Sequence, residues 1–257
     1  MTRVADAIPE LSVVIPAYNA AARLGVTLRD TGGWLSGQGI DHEVIVVDDA
    51  STDGTRGVCA PPVRVLSHAR NRGKGAAVRT GMLAATRAWR LFMDADNSTT
   101  IDHLERFSGA VSGFPAGAPL VVIGSRRAPG ARVIEPRATV RRALGRAFPL
   151  LVRAVALPEV ADSQCGFKLF SAAAAEAIFP RCRVERFAFD VEVLLLARRL
   201  GIPVIEVPIT WNNPRESTLR VGGDSVRMLI DVLACAARLG PDAPVPPVRV
   251  CGKGSAG

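Results

Sequence analysis

The chain has 257 residues, 48% hydrophobic and 22% charged, which suits one globular domain, and its five widely spaced cysteines form neither a CxxC zinc pattern nor a disulfide framework. It has no run of about 18 apolar residues and no apolar segment within residues 1–10, so we expect neither a membrane-spanning helix nor a secretory signal. The net charge of +8 is compatible with nucleic acid, an anionic membrane surface or phosphorylated substrates, but a single Tyr and three Trp argue against nucleic acid.

The first half of the chain alternates short apolar runs with amphipathic segments. The apolar runs predict strands at 11–16, 43–47, 63–67, 90–93 and 120–123. The segments between them predict helices at 20–35 and 75–89 and a short helix after Ser51. Because non-alternating strands separated by helices are typical of a parallel sheet covered on both faces, we predict an α/β fold. In such sheets ligands bind beyond the carboxyl ends of the strands.

The second half is richer in helical pattern. Residues 137–157 predict a helix with a kink at Pro149, because proline removes the bond to the carbonyl of Gly145. Further elements are expected as strands at 167–170 and 203–207 and as helices at 190–200 and 224–239. We divide the chain into a flexible start at 1–10, one domain at 11–239, and a flexible Pro/Gly-rich tail at 240–257.

Two aspartates, Asp94 and Asp96, flank Ala95 directly after the predicted strand 90–93. Carboxylate oxygens are the hard ligands that Mg²⁺ or Mn²⁺ prefers, and these ions keep positions open for substrate phosphates. Such a triplet also occurs by chance on solvated loops, but its position at a strand end favours a metal site. A cation there would stabilise the charge of a departing nucleotide diphosphate.

Paired acids also end the predicted strand 43–47. We expect Asp49 to accept hydrogen bonds from a base edge or from ribose hydroxyls, whereas Ser51 and Asp53 are interpreted as local capping residues. Farther along, the segment 71–75 opens a helix with two glycines and Lys74, a combination that favours an anion. It is not a P-loop, and no GxGxxG follows a strand, which argues against nucleotide hydrolases and dehydrogenases.

These motifs together resemble a known family. The runs SVVIPAYN at 12–19, VVDDASTDGT at 46–55, NRGKGAAVRTG at 71–81 and DAD at 94–96 are similar to family 2 glycosyltransferases, which have the GT-A fold. The later runs at 162–170, 186–192 and 206–211 resemble dolichyl-phosphate β-glucosyltransferases, relatives of the dolichyl-phosphate mannose synthases. The resemblance extends from about residue 11 to about residue 233.

The resemblance implies a GT-A, Rossmann-like, mostly parallel sheet flanked by helices, with a nucleotide-sugar half at 11–124 and a helical acceptor lobe within 125–239. The nucleotide-sugar contacts it suggests, together with the anion-binding lysine, are Pro16, Tyr18, Val47, Asp49, Lys74, Asp94 and Ala95. Asp94 and Asp96 would hold the metal, with Asp96 the more direct ligand. The positions expected to act on the acceptor are Arg126, joined by Arg141 or Arg142 for its phosphate, and Asp162, where relatives keep a catalytic base.

The implied reaction is an inverting, Mg²⁺- or Mn²⁺-dependent transfer of a hexose to a polyprenyl or dolichyl phosphate, from UDP-glucose in the first place and from GDP-mannose in the second. A phosphate acceptor is already ionised, so no strong base is needed. Asp162 would orient the acceptor or deprotonate a hydroxyl acceptor; alternatively it is a loop aspartate that satisfies backbone donors. Ala20 and Thr218 stand where the family has Glu and Lys. Two alternatives therefore stay open, a soluble hydroxyl acceptor and a non-catalytic sugar-nucleotide-binding protein.

The predicted helix at 137–157 combines an apolar stripe with an arginine-rich face. Such a helix fits docking at a membrane surface, although amphipathic helices more often pack on the domain core with their charges solvated. Together with the net charge, the pattern leads us to expect a cytoplasmic protein that docks on the inner face of the membrane, directly or through a membrane partner, and binds no nucleic acid.

Overall fold

The computed structural model describes residues 3–134, 152–212, 223–239 and 249–250. Its strands are β1 Glu10–Ala17, β2 Asp41–Asp48, β3 Arg64–Ser67, β4 Trp89–Met93, β5 Val121–Ser125, β6 Arg132–Ile134, β7 Phe167–Ser171, β8 Val204–Pro208, β9 Thr210–Asn212 and β10 Arg249–Val250. Its helices are α1 Val4–Ala7, α2 Ala21–Gln38, α3 Lys74–Ala84, α4 Leu104–Val111, α5 Ala172–Ile178, α6 Phe189–Arg199 and α7 Gly223–Leu239.

One eight-stranded sheet runs through the described part of the chain in the order β10-β8-β5-β7-β4-β1-β2-β3, and β6 pairs with β9 beside it. All neighbours in the large sheet are parallel except β7, which lies antiparallel between β4 and β5. The predicted mostly parallel sheet is confirmed. Strands β7 and β8 come from the second half of the chain, so the two predicted halves share one sheet.

The reversed strand β7 brings the loop before it to the site. Its register pairs Met93 at the end of β4 with Phe167 at the start of β7. The loop that precedes Phe167 therefore lies at the carboxyl end of β4, directly beside Asp94. No local sequence pattern indicates that β7 is antiparallel, because the direction of a strand in the sheet depends on the tertiary path of the chain.

Helices cover the sheet on both faces. Along β1, Val14 is buried in one apolar cluster, while Val13 and Ile15 are buried in the cluster on the opposite face. Successive strand side chains point to opposite faces, so a strand buried on both sides favours apolar residues at consecutive positions. This explains the consecutive apolar residues 13–15 in the run that predicted the strand.

Four element predictions need correction. Residues 4–7 form a helical turn and Ile8 is fully buried, so the segment 1–10 is not flexible from Val4 onward. The helix expected at 75–89 ends at Ala84, because the backbone N–H and the hydroxyl of Thr86 both donate to Glu43, at 2.8 Å each, and turn the chain into β4. The helix expected after Ser51 is a 3-10 turn at Thr55–Val58. In the predicted tail, residues 249–250 add strand β10 to the sheet.

Several predictions fall outside the described residues. Of the helix expected at 137–157, only the stretch from residue 152 is described, and residues 152–155 are helical. Pro149, Arg141, Arg142 and Thr218 lie outside the described ranges, so their expected roles stay predictions. Within those ranges, no helix combines the length and the apolar character needed to cross a bilayer.

Candidate functional site

The two aspartates of the DAD motif extend from the end of β4 on a loop that several hydrogen bonds hold in place. The backbone N–H of Asp94 donates to the carbonyl of Gly166 at 3.0 Å, and the hydroxyl of Thr27 on α2 donates to the carbonyl of Ala95 at 2.8 Å. Oδ1 of Asp96 accepts the backbone N–H of Ser98 at 3.0 Å. Both carboxylates stay partly accessible, with 29% of the Asp94 side chain exposed. The loop thus presents two fixed, reachable carboxylates.

A lysine faces the first of these carboxylates. Lys74, the first residue of α3, places Nζ 2.6 Å from Oδ1 of Asp94. The ammonium also lies 5.1 Å from the centroid of the Phe92 ring, within reach of a cation–π interaction. Burial opposes the charged form, but the carboxylates of Asp94 and Asp190 hold the pKa of Lys74 above its ordinary value. Lys74 is therefore a firmly charged cation in the site.

A second lysine–aspartate pair lies beneath the first. Lys168 of β7 forms a buried ion pair with Asp190 of α6, and its Nζ also donates to the carbonyl of Cys165 at 2.5 Å. Both side chains are at most 5% exposed, so the pair is part of the core under the site. Lys168 was not singled out from the sequence. The sequence feature that could have identified this residue is a lysine inside an otherwise apolar strand.

Asp49 does not offer a free carboxylate. Its Oδ1 accepts the ring N–H of His68 at 2.6 Å and the backbone N–H of Arg72 at 2.9 Å, and its Oδ2 accepts the backbone N–H of Gly73 at 2.7 Å. Nε2 of His68 lies 2.9 Å from the hydroxyl of Thr80, within hydrogen-bond distance, which extends the chain of contacts to α3. The carboxylate that we expected to hold the nucleoside therefore anchors the loop that carries Lys74.

The two glycines beside Lys74 allow another segment of the protein to approach closely, and this segment occupies the space that we expected an anion to use. Gly73 has a φ of +108°, and a Cβ there would lie 2.6 Å from the carbonyl of Glu185. At Gly75 a Cβ would lie 2.5 Å from the carbonyl of Val184. The N–H of Ala76 also donates to Glu185, so this helix start is partly occupied. The anion affinity expected here rests on the ammonium of Lys74.

The remaining nucleoside positions differ in exposure. The side chains of Pro16 and Val47 are buried in the sheet, so contacts from these positions would come from the backbone. Tyr18 follows β1 and is 46% exposed. Ser51 and Asp53 accept the backbone N–H groups of Asn19 and Ala21, which are 32 residues away, and Asp53 also accepts the backbone N–H of Thr55. The first two bonds are long-range contacts and not the local capping that we expected.

Asp162 and Arg126 form one unit at the other side of the site. Nε of Arg126 donates to Oδ2 of Asp162 at 2.7 Å, and Nη2 donates to Oδ1 at 2.8 Å. The two bonds form a bidentate ion pair. Asp162 is fully buried and also accepts the backbone N–H of Arg126 and of Gln164. Although burial opposes ionisation, the guanidinium holds the pKa of Asp162 below its ordinary value.

This geometry corrects the expected role of Asp162. A general base must reach its proton and accept it. Asp162 has no exposed surface, and each of its oxygens already accepts at least two hydrogen bonds. The carboxylate orients Arg126 and belongs to the structural alternative that the sequence left open. Arg126 itself is 24% exposed, and its guanidinium carbon lies 5.4 Å from the centroid of the Trp211 ring.

Glu206 supports this unit from beneath and was not singled out from the sequence. It is fully buried in β8 and accepts the backbone N–H groups of Ala161 and Asp162, at 2.9 and 3.0 Å. An acid inside an apolar strand was the signal that could have found it. The hydrogen bonds from Glu206 through Asp162 to Arg126 fix one guanidinium directly after the carboxyl end of β5.

The DAD loop suits a hard divalent cation. Within the described ranges, no three His, Cys, Asp or Glu side chains come together as a metal cluster, so protein ligands would come from Asp94 and Asp96. This suits Mg²⁺ or Mn²⁺, which bind through one or two carboxylates and complete their coordination with substrate phosphates and water. The residues present therefore fit the expected ion.

Comparisons with known proteins agree with this arrangement. The model of the family described as "Glycosyl transferase family 2" matches residues 12–179. The chain is 35% identical to the dolichyl-phosphate beta-glucosyltransferase of Saccharomyces cerevisiae, over 87% of this chain and 73% of that protein. It is 37% identical to the enzyme of the same name from Drosophila melanogaster, over 90% of this chain and 77% of that protein.

Solved structures show the same fold. Glucosyl-3-phosphoglycerate synthase of Mycobacterium tuberculosis, in complex with Mn²⁺, UDP-glucose and phosphoglyceric acid, superposes with a TM-score of 0.69 at 22% identity, over 93% of this chain and 83% of that chain. Mannosyl-3-phosphoglycerate synthase from Rubrobacter xylanophilus superposes with a TM-score of 0.66 at 18% identity, over 94% and 80%. At these identities the likeness establishes the fold, which is the predicted GT-A fold.

Proposed function

Because the chain belongs to glycosyl transferase family 2, we propose that it is an inverting glucosyltransferase that moves glucose from UDP-glucose to a polyprenyl phosphate of the dolichyl type. The observation that carries this proposal is the pair of reachable carboxylates, Asp94 and Asp96, at the carboxyl end of β4. The relatives named dolichyl-phosphate beta-glucosyltransferase support the choice of sugar and acceptor.

Different side chains would bind the donor and the acceptor. Asp94 and Asp96 would hold Mg²⁺ or Mn²⁺, which when bound neutralises charge on the departing diphosphate. Lys74 adds a positive charge on the donor side, and the exposed Tyr18 borders the space left for the nucleoside. Solved neighbours crystallised with Mn²⁺ and UDP-glucose support this choice of ion and donor.

Arg126 would hold the acceptor phosphate on the opposite side. Its guanidinium is oriented by Asp162 before the acceptor arrives, so little of its freedom is lost on binding. The phosphate oxygen is already ionised at neutral pH and attacks the anomeric carbon while UDP leaves from the opposite face, which inverts the configuration. No protein base is required, and this agrees with the buried state of Asp162.

The test is a turnover assay of the full chain with a matched pair of acceptors. UDP-glucose or GDP-mannose is supplied with Mg²⁺ or Mn²⁺, together with a short polyprenyl phosphate or the corresponding polyprenol, which lacks only the phosphate. We expect a glucosyl lipid from UDP-glucose and the phosphate acceptor, lost on addition of a chelator, and no product from the polyprenol.

Other outcomes would contradict the proposal in different ways. Faster turnover of a hydroxyl acceptor would support the soluble-acceptor alternative, and product from GDP-mannose alone would change the donor. Binding of UDP-glucose without transfer to any acceptor would support a non-catalytic sugar-nucleotide-binding protein.

Docking of residues 137–157 on the inner face of the membrane stays a proposal. Sedimentation of the same protein with lipid vesicles would test it.

Gly166 should be needed for transfer, although it carries no functional group. A Cβ at this position would lie 1.9 Å from Oδ2 of Asp94, closer than any real contact. We therefore expect Gly166→Ala to displace the Asp94 carboxylate and to lower turnover about a hundredfold. The matched control is Gly113→Ala, where an added Cβ meets no atom within 4 Å and turnover should be unchanged. Equal rates for the two variants would show that Asp94 does not need its observed position.

A further inference from the structure

The carboxylate of Asp94 is covered on two sides. Its Oδ1 is paired with the ammonium of Lys74 at 2.6 Å, and its Oδ2 lies against Gly166, where a Cβ would come within 1.9 Å. Its backbone N–H is bonded to the carbonyl of Gly166 at 3.0 Å, which fixes the main chain of Asp94 beside that glycine. A divalent cation that binds Oδ1 of Asp94 would therefore compete with the lysine.

Lys74 has the surroundings of a group that can change partners. Its side chain is 22% exposed, so it is not enclosed in the core. It lies above the rings of Phe92 and Phe189, at 5.1 and 6.0 Å from their centroids, and these contacts stabilise a cation without fixing its direction. An ammonium is a compact point charge on a flexible stem and pairs readily with phosphate oxygens.

Electrostatics opposes the binding of a bare metal ion at this place. A divalent cation at Asp94 would lie a few ångströms from the ammonium, and like charges at such separations repel by about 1 kcal/mol or more even in a watery environment. A nucleotide diphosphate removes the conflict, because it brings negative charge for both cations. Metal and nucleotide should then enter as a pair.

We propose that Lys74 is an exchangeable counter-ion, which covers Asp94 while the site is empty and transfers to the donor diphosphate when metal and nucleotide bind together. The inference rests on the proposed function, since it assumes the metal site at Asp94 and Asp96. It assigns to Lys74 a coupling between two ligands, in addition to the anion contact already described. By linkage, UDP must then raise the affinity for the metal by the same factor as the metal raises the affinity for UDP.

The experiment measures Mn²⁺ binding by the electron paramagnetic resonance signal of the free ion, with and without UDP, so no turnover is involved. In the wild-type protein we expect weak binding of Mn²⁺ alone and strong enhancement by UDP. Lys74→Met should bind Mn²⁺ alone about tenfold more tightly, because a repelling charge is removed, and should lose most of the enhancement by UDP. Lys74→Gln is a second variant that should behave in the same way.

Arg72→Met is the matched control. It removes the same charge two residues away, but the guanidinium of Arg72 pairs with Glu185 at 2.5 Å rather than with Asp94. Mn²⁺ binding should be unchanged in this variant. Wild-type protein that binds Mn²⁺ with UDP, together with lysine variants that gain no affinity for Mn²⁺ alone, would overturn the counter-ion role and leave the proposed function standing. Wild-type protein that binds no Mn²⁺ even with UDP would overturn both.

Discussion

Asp96→Asn should abolish most of the transfer activity and leave the fold intact. Asparagine has nearly the same shape as aspartate and keeps an oxygen for the backbone N–H of Ser98, so the loop after β4 should hold its course. What disappears is the negative charge that binds the cation. Loss of metal-assisted charge stabilisation costs several kcal/mol, so we expect turnover of UDP-glucose to fall at least about a hundredfold.

The measurement is the initial rate of glucosyl transfer, accompanied by the thermal unfolding midpoint. Asp102→Asn is the matched control, since it makes the same chemical change six residues on, at a side chain that is 57% exposed and bonded to Thr100. That variant should keep wild-type turnover. Normal turnover in Asp96→Asn would show that the metal, if it is used, is held elsewhere.

Local features of the sequence predicted the part of the site that lies at the end of a single strand. The apolar run before Asp94 gives the strand β4, and the carboxyl ends of parallel strands meet at one edge of the sheet, so the position of the DAD motif followed directly. Tyr18, by contrast, was named only through the resemblance to family 2 glycosyltransferases. The position of the DAD motif needed only the period of the apolar residues and the general rule for ligands in α/β folds.

Contacts between distant segments were not predictable in this way. Arg126 and Asp162 are 36 residues apart and meet because β7 returns antiparallel between β4 and β5, which no local pattern indicates. The same return brings Lys168 under the site. Asp49 shows the same limit. An acid at a strand end was interpreted as a ligand for the nucleoside, and its bonds to the backbone N–H groups of a loop 23 and 24 residues away could not be predicted from the strand pattern.

Arg126→Met should destabilise the fold by about 3–5 kcal/mol, because it leaves the fully buried carboxylate of Asp162 without its partner. The loss of stability in Arg126→Met should become smaller as the pH falls. In the wild-type protein the pKa of Asp162 lies below its ordinary value, so its contribution to stability is constant above the unfolded pKa of about 3.9. In the variant, burial without the guanidinium raises that pKa, so stability should recover as pH falls from 8 towards 5.

Urea unfolding at both pH values measures the effect, and two further variants separate its causes. Arg106→Met removes an exposed arginine that donates to the carbonyl of Pro208 and should cost no more than about 0.5 kcal/mol. The double variant Arg126→Met with Asp162→Asn has no unpaired charge at position 162 and should be more stable at pH 8 than Arg126→Met alone. If Asp162 were instead a base that exchanges protons with substrate, removing Arg126 would leave a carboxylate in contact with water, and neither the pH dependence nor the recovery would be seen. A stable Arg126→Met protein with unchanged acceptor use would therefore contradict both the pairing and the role of Arg126 at the acceptor phosphate.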